Sequence, residues 1–477
     1  MELGYGHGLV GATGQCFVGR HHFGLLAEQH DGLLFVRFGI QRSGRETTRM
    51  AQGTHLGDES FPPAAERATS DGPLTGVRVL DFTRVLSGPH AARMLCDMGA
   101  DVIKVEPPAG DLTRFANPRV GGLASYFIQQ NAGKRNISLD MTKPRAVELL
   151  LGLIGQIDIV IENFRPGVMD RMGLGYAAIA AANPRAIYAS ITGYGSTGPW
   201  RNRRAYASVI GAETGFTKAQ CDSHQGAGHP VEYVNDPHSH GDLYTSLECA
   251  SGILAALYQR ERTGRGQHVE VSMAQTMLYV NEHVHDHLWD GPVSPEWIRS
   301  FQPGDYPVLT VANGESVVIS GHPGERGTFD RFVEAMESPD LLHDPRFASV
   351  STRLEYLDEL FDIIREWALT FPDAHSIESV LDRYELAMGA LRSVREIADS
   401  EWAVQRNAIV EVPDRSGGVV RVPNAPWTFS DATTGVHGEP KYRGEDNASV
   451  LRELLGLGEA DVAALHDAGV LSTRMPS

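Results

Sequence analysis

Cysteine is scarce. Four residues, Cys16, Cys96, Cys221 and Cys249, are spread over a chain of 477, and none forms a C-x-x-C pair. That argues against a disulfide framework and suits a reducing compartment, so a cytoplasmic location is expected. Long apolar runs are missing too: none approaches the ~20 residues needed to span a bilayer, so no membrane partner is expected. The opening "MELGYGHGLVGATGQCF" lacks a basic region followed by an apolar stretch, so no secretory signal is expected. Basic residues are outnumbered, 42 Lys and Arg against 60 Asp and Glu, for a net charge of −18. Such an acidic surface argues against nucleic acid as the main partner but leaves room for a local basic pocket. Neither G-x-S-x-G nor G-x-x-x-x-G-K-[ST] occurs, so serine-hydrolase and nucleoside-triphosphatase readings lack a signature.

What is present organises the chain unevenly. Residues 1–72 are rich in Gly, His and Arg and close on the linker-like "GDESFPPAAERATSDGP". They are expected to be a disordered or loosely attached extension. From Gly76 strands and helices alternate: "VRVLDFT", "SGPHAARMLCDMGA", "DVIKVE", "RNISLDM", "KPRAVELLLGLIGQI", "DIVIENF", "YAAIAAANP" and "AIYASITGY". Near-continuous apolar strands of this kind predict an α/β domain with a parallel sheet, whose ligands gather at the carboxyl ends of strands. Residues 73–273 are assigned to this large domain and 274–300 to a linker. Residues 301–395 form a smaller α+β domain, with a strand pair predicted around Asn313-Gly314 and a helix through "LEYLDELFDIIREWAL". Residues 396–477 return to the large domain, ending in two short helices broken at Gly456–Gly458.

The segment Gly193–Gly198, "GYGSTG", spells G-x-G-x-x-G behind a strand. A dinucleotide fingerprint needs the third glycine to open a helix. Here Gly198 is followed by Pro199, Trp200 and "RNRRA", which rejects that reading; "GHGLVG" at Gly6–Gly11 has no preceding strand at all. His283 and His287 are spaced i, i+4, but nothing further completes a metal set, and no metal is assigned. Asp242 is the better candidate. It sits at the first turn of a strong helix, Asp242–Thr263, where the helix dipole favours an ionised carboxylate. Plain N-capping is the competing explanation. His238 and His240 flank it.

Six segments in order resemble the class III CoA-transferases of the CaiB/BaiF type: "LTGVRVLDFTRVLSGPHAARMLCDMGADVIKVEPPAGDLTR", "NAGKRNISLDM", "DIVIENFRPGVMDRMGLGY", "NPRAIYASITGYGSTGPW", "GILAALYQRERTGRGQHVEVSM" and "VLRELLGLGEADVAALHDAGVL". They run from about Leu74 to Leu471. The resemblance implies a Rossmann-like large domain, a small domain, and an interlocked, ring-like homodimer. It implies no permanently bound cofactor, with a coenzyme A thioester as substrate and a carboxylic acid as acceptor. It makes Asp242 the catalytic nucleophile, passing through a mixed anhydride and an aspartyl-CoA thioester. It places Val85, Leu86, Ser87, Asn163, Phe164, Arg171 and Tyr194 beside CoA. Gly193 and Gly195 are expected near the thioester, and Arg114, Lys134, Arg135 and Arg171 are the basic candidates for the phosphates.

Departures from the family pattern matter. Pro107 replaces a basic residue that some members carry near the nucleotide. "DGPVSPEWIRSFQPGD" stands where formyl-CoA transferase has a glycine run, so formyl/oxalyl specificity is not supported. The related α-methylacyl-CoA racemases are the alternative. They need a histidine where this chain has Tyr206 and Ala207, although His238 or His240 could substitute. A non-catalytic CoA-ester-binding protein is the third reading.

Overall fold

The computed structural model describes residues 23–30, 33–40, 71–226, 235–291 and 306–474. The chain divides into two units, Met1–Pro62 and Pro63–Ser477. In the first, strands Phe23–His30 and Leu33–Ile40 pair antiparallel, Phe23 opposite Ile40. The expected extension therefore contains a hairpin; its linker-like end lies outside the described residues up to residue 70.

The second unit is built on a six-stranded sheet: β1 (Arg78–Asp81), β2 (Asp101–Glu106), β3 (Arg135–Ser138), β4 (Ile159–Glu162), β5 (Ile187–Thr192) and β6 (His268–Ser272). The order is β6-β5-β4-β1-β2-β3, and every neighbouring pair is parallel. Parallel strands are covered on both faces, which is why β4 and β5 are buried at every position and read as mostly apolar runs. The chain winds outward from β1 to β3, then returns to the other side of β1 for β4. Order reverses between β1 and β4, and such sheets open a crevice beyond the carboxyl ends there.

Helices α1 (Ser87–Asp97), α2 (Pro144–Ile154), α3 (His240–Thr263) and α4 (Met273–Tyr279) cover this sheet. Val79, Ile159, Ile161, Ile187 and Ala189 pack against α1, α3 and α4 on one face. Leu80, Ile103, Val160 and Tyr188 face α2 on the other. Pro144 opens α2, where its missing N–H is not needed. Gly264 ends α3 in the left-handed region, φ 71°, with Arg260 and Arg262 complementing the helix dipole.

Further along, strands β7 (Val308–Thr310), β8 (Ser316–Ser320) and β9 (Ala387–Ala390) form an antiparallel sheet. Gly314 turns the first pair at φ 90°. Helices α5 (Thr328–Ala335), α6 (Leu357–Ala368) and α7 (Ala374–Arg383) bury Phe329, Phe332, Leu360, Ile364, Ile377 and Leu381 with it. The single helix predicted through Leu354–Leu369 is two. Ser349 and Thr352 cap the first reciprocally, and Tyr356 leaves the helical basin at φ −109°, ψ 35°. A hairpin of β10 (Ile409–Pro413) and β11 (Val419–Pro423) follows. Its turn is held by Asp414, whose Oδ1 accepts from the backbone N–H of Ser416 and Gly418 at 2.7 and 2.9 Å.

Helices α8 (Asn447–Leu455) and α9 (Glu459–Asp467) bring the chain back to the large domain. Asp446 Oδ2 and Asn447 Oδ1 accept from the N–H of Asn136 and Ser138, both at 2.8 Å. These bonds and the Leu139–Leu471 bridge occupy the open edge beyond β3, which would otherwise expose unpaired strand groups.

Candidate active site

The loop after β1 forms one wall of the site. Asn163, just past β4, holds it on both sides. Its Oδ1 accepts from Arg84 N at 2.9 Å, and its Nδ2 donates to Arg84 O at 2.8 Å. Val85 is thereby kept at φ 68°, a left-handed conformation that a β-branched residue adopts only under constraint. Its N–H lies 3.3 Å from Asp111 Oδ2. Gly88 lets α1 start against this loop, because a Cβ there would meet Thr83 Cγ2 at 2.2 Å.

A buried ionic cluster supports the loop from below. Lys134 Nζ donates to Asp81 Oδ2 at 3.0 Å and to Pro89 O at 2.8 Å. Lys104 Nζ donates to Thr83 O at 2.8 Å and lies 3.2 Å from Asp111 Oδ2. Burial opposes ionisation of Asp81, but Lys134 and Lys104 outweigh it and bring its carboxyl below the usual range. Arg114 grips Glu106, Nη2 to Oε1 at 2.6 Å, and lies 3.7 Å from the Phe127 ring centre.

Arg114 and Lys134, expected at the CoA phosphates, are both 2% exposed and paired with internal carboxylates. Arg135 is likewise paired, with Asp101 and Glu453 at the sheet edge. Arg171 remains exposed, at the end of the short helix Val168–Arg171.

Asp242 lies in the first turn of α3, next to the start of α1. Ser87, at the start of α1, lies beside this carboxylate and favours its ionised form. The free N–H groups of α1 thus face an anion, the arrangement a helix N-terminus favours. Burial is the larger influence and pushes the Asp242 carboxyl up to about 6; Ser87 pulls the other way. Tyr126 feels the same site. Burial first, then the charges of Asp242 and Asp111, push its phenol up to about 12.

Asp242 opens onto a cleft of about 330 Å³ at the carboxyl ends of the strands. The cleft brings together Val85, Ser87, Asn163, Phe164 and Gly193 from the expected set. Leu86 is buried behind it as the residue that caps α1. Tyr194 and Gly195 are not in the lining. Tyr194 instead packs edge-on against Trp200 at 5.5 Å, with Arg203 over both rings. The "GYGSTG" loop has no helix behind it; the next is Ala207–Glu213. Gly195 and Gly198 turn it at φ 92° and 81°, and Ser196 Oγ donates to Glu270 Oε2 at 2.5 Å.

The sequence reading missed an arginine-rich wall. Arg84, Arg165, Arg201, Arg203 and Arg204 line the cleft, and Asp242 is the carboxylate among its lining residues. "RNRR" was visible as a charge run, but nothing in a charge run says which way it faces. Tyr206 lines the cleft where a racemase would carry its histidine, and no histidine is among the described lining residues. His238 and His240 form a separate aromatic group with Phe216 and Tyr244. His240 is bonded through Nδ1 to Asp236. His283 precedes the single turn Val284–His287. Among the described residues no group of three or more His, Cys, Asp or Glu is gathered for a metal, and no helix is long and apolar enough to cross a membrane.

Fold and site together define an α/β protein with a half-buried carboxylate, Asp242, in a cleft at a sheet switch point. Residues 74–447 match the model of CoA-transferase family III, and the chain belongs to that family. It is 34% identical over 429 residues to a formyl-CoA:oxalate CoA-transferase of Streptomyces avermitilis, covering 83% of this chain and 99% of that one. It is 31% identical over 404 residues to a succinyl-CoA–D-citramalate CoA-transferase of Chloroflexus aurantiacus, covering 82% and 96%. Among solved structures, a CaiB/BaiF family protein of Brucella suis superimposes with a TM-score of 0.68 at 30% identity, covering 80% of this chain and 100% of that one.

Proposed function

We propose that this protein moves coenzyme A from an acyl-CoA thioester to a carboxylic acid, with Asp242 as nucleophile. One Asp242 oxygen attacks the thioester carbonyl, the C–S bond breaks, and CoA leaves as thiolate. The thiolate then attacks the Asp242 carbonyl of the mixed anhydride and releases the donor acid as carboxylate. The acceptor carboxylate attacks the resulting aspartyl-CoA thioester, and the thiolate leaves again. It finally attacks the acceptor acyl carbon, giving the new thioester and free Asp242. Charge balances at each step, since one anion enters as another leaves. Oxyanions develop at every carbonyl, and preorganised N–H groups at the site are suited to them.

The observation that carries this reading is the position of the Asp242 carboxylate. It lines, together with Ser87 at the mouth of α1, a cleft with no histidine among its described lining residues. The racemase alternative needs a second proton carrier facing Asp242, and Tyr206 stands in that wall instead. Val85, Leu86, Ser87, Asn163, Phe164, Gly193, Tyr194, Gly195 and Arg171 remain the proposed surroundings of CoA, with Arg171 at its phosphate end. The large domain is read as Rossmann-like and the assembly as an interlocked homodimer. The buried cysteines Cys96, Cys221 and Cys249 suit a cytoplasmic setting.

Incubation with acyl-CoA and hydroxylamine tests the nucleophile: peptide mass spectrometry should find the hydroxamate at Asp242, and Asp242→Ala should abolish both labelling and transfer. Exchange of the substrate α-proton in deuterated water without movement of CoA would overturn the proposal in favour of the racemase.

A further inference from the structure

Arg84 combines three observations that the mechanism leaves unused. Its Nε is buried and has no hydrogen-bond partner. Its backbone is clamped on both sides by Asn163, and its guanidinium lies 5.3 Å from the Phe164 ring centre, so the side chain is fixed in place. It lines the cleft that holds Asp242. A buried donor without an acceptor is uncommon in a folded protein, and at a binding site it marks where a ligand oxygen belongs.

The surroundings say what kind of oxygen. Arg165, Arg201 and Arg204 share the lining, are exposed and make no ion pair among the described residues. Arg203 does not count equally, since it is paired with Glu213 at 2.6 Å. The chain as a whole carries a net charge of −18, so a wall of arginine is a local reversal of sign. Such a wall attracts anions, and a planar guanidinium fork matches a carboxylate. The carboxylate that reacts at Asp242 must stay free to attack a carbonyl. The arginine is therefore suited to a different carboxylate on the same molecule.

We propose that Arg84 is a specificity-determining residue that holds the non-reacting carboxylate of the acceptor, so that the preferred acceptor is a dicarboxylic acid. This rests on the CoA-transfer reading above. The test compares succinate with its half-amide, succinamate, as acceptors for one acyl-CoA donor. The two acids match in size and differ in the charge of the distal group. Wild-type enzyme should favour succinate by at least about tenfold in kcat/KM, mostly through the acceptor KM. Arg84→Met should collapse that ratio toward one, and Arg84→Lys should restore part of it.

Equal use of the two acids by wild-type enzyme, with Asp242 still trapped by hydroxylamine, overturns the inference and leaves the transferase reading standing. A rise in the KM for the acyl-CoA donor in Arg84→Met, with the succinate/succinamate ratio unchanged, also overturns it and gives Arg84 to CoA. If Asp242 is never acylated, the transferase reading fails, and titration calorimetry decides the inference separately. Tighter binding of succinate than succinamate, lost in Arg84→Met, supports an Arg84 carboxylate site; no preference sinks it.

Discussion

Asp242→Asn should make the protein more stable and inactive, and the gain should depend on pH. The native environment moves this carboxyl from 3.8 up to about 6, chiefly through burial. That displacement corresponds to roughly 3 kcal/mol against the ionised form in the folded state, and local relaxation reduces this to on the order of 1–3 kcal/mol. The sign follows from the direction of the shift. A carboxyl raised on folding binds its proton more tightly in the native state. Between about pH 4 and 6 the folded protein therefore loses stability as pH rises, and the full penalty persists above about 6. Asparagine has the same shape and does not titrate. The stability gap between variant and wild type should be near zero at about pH 4, grow through pH 6, and level off by about pH 8. Urea unfolding of both proteins over that range measures the gap, and the remaining titrations common to the two cancel in the difference. A gap that is flat with pH, or a variant less stable than wild type near pH 8, would refute the claim that burial strains the ionised nucleophile.

The same carboxyl should govern the rate: kcat/KM for acyl-CoA should fall about tenfold per pH unit below about 6 and be level above it, and a profile flat down to about 4.5 would contradict it. Lys134→Met strands the buried Asp81 carboxylate and should cost about 3–5 kcal/mol by denaturation, with the acyl-CoA KM of the folded enzyme unchanged; a selective rise in that KM would return Lys134 to the phosphate site. Gly193→Ala puts a Cβ 2.3 Å from Ala205 Cβ at the cleft wall. It should cost about 1–3 kcal/mol and lower kcat, which steady-state kinetics and thermal unfolding would read together.

Legibility tracked range. β2 was predicted at Asp101–Glu106 and is found there, and the Asn313-Gly314 turn was readable from its own letters. These features are set by burial on both faces or by one residue's backbone freedom, and both leave local marks. The hairpin at Ile409–Pro423 also left a mark, an alternating strand and an Asp-Arg-Ser-Gly-Gly turn, which went unread. The burial of Arg114 and Lys134 was not legible for another reason. A charge in a sequence does not say which way it points. The partner of Lys134 is Asp81, brought to it only when β1 and the loop before β3 lie side by side. Arg84 was hidden in plain view inside "DFTRVLSGP", because the clamp that fixes it comes from Asn163, 79 residues away.

The same distinction separates the two halves of the chemistry. A thioester-exchanging carboxylate must be ionised to attack, yet it becomes a neutral acyl group as soon as it has done so. The environment around Asp242 suits the second state better than the first, since burial disfavours its charge and only Ser87 offsets that. On the proposed mechanism, acylation would therefore relieve the penalty that folding imposes. The arginines do the opposite work at the other wall, where an anion is favoured throughout the cycle. On these two proposals, one cleft would offer a place where charge is discharged, at Asp242, and a place where charge is kept, at Arg84. A substrate with one carboxylate can use only the first.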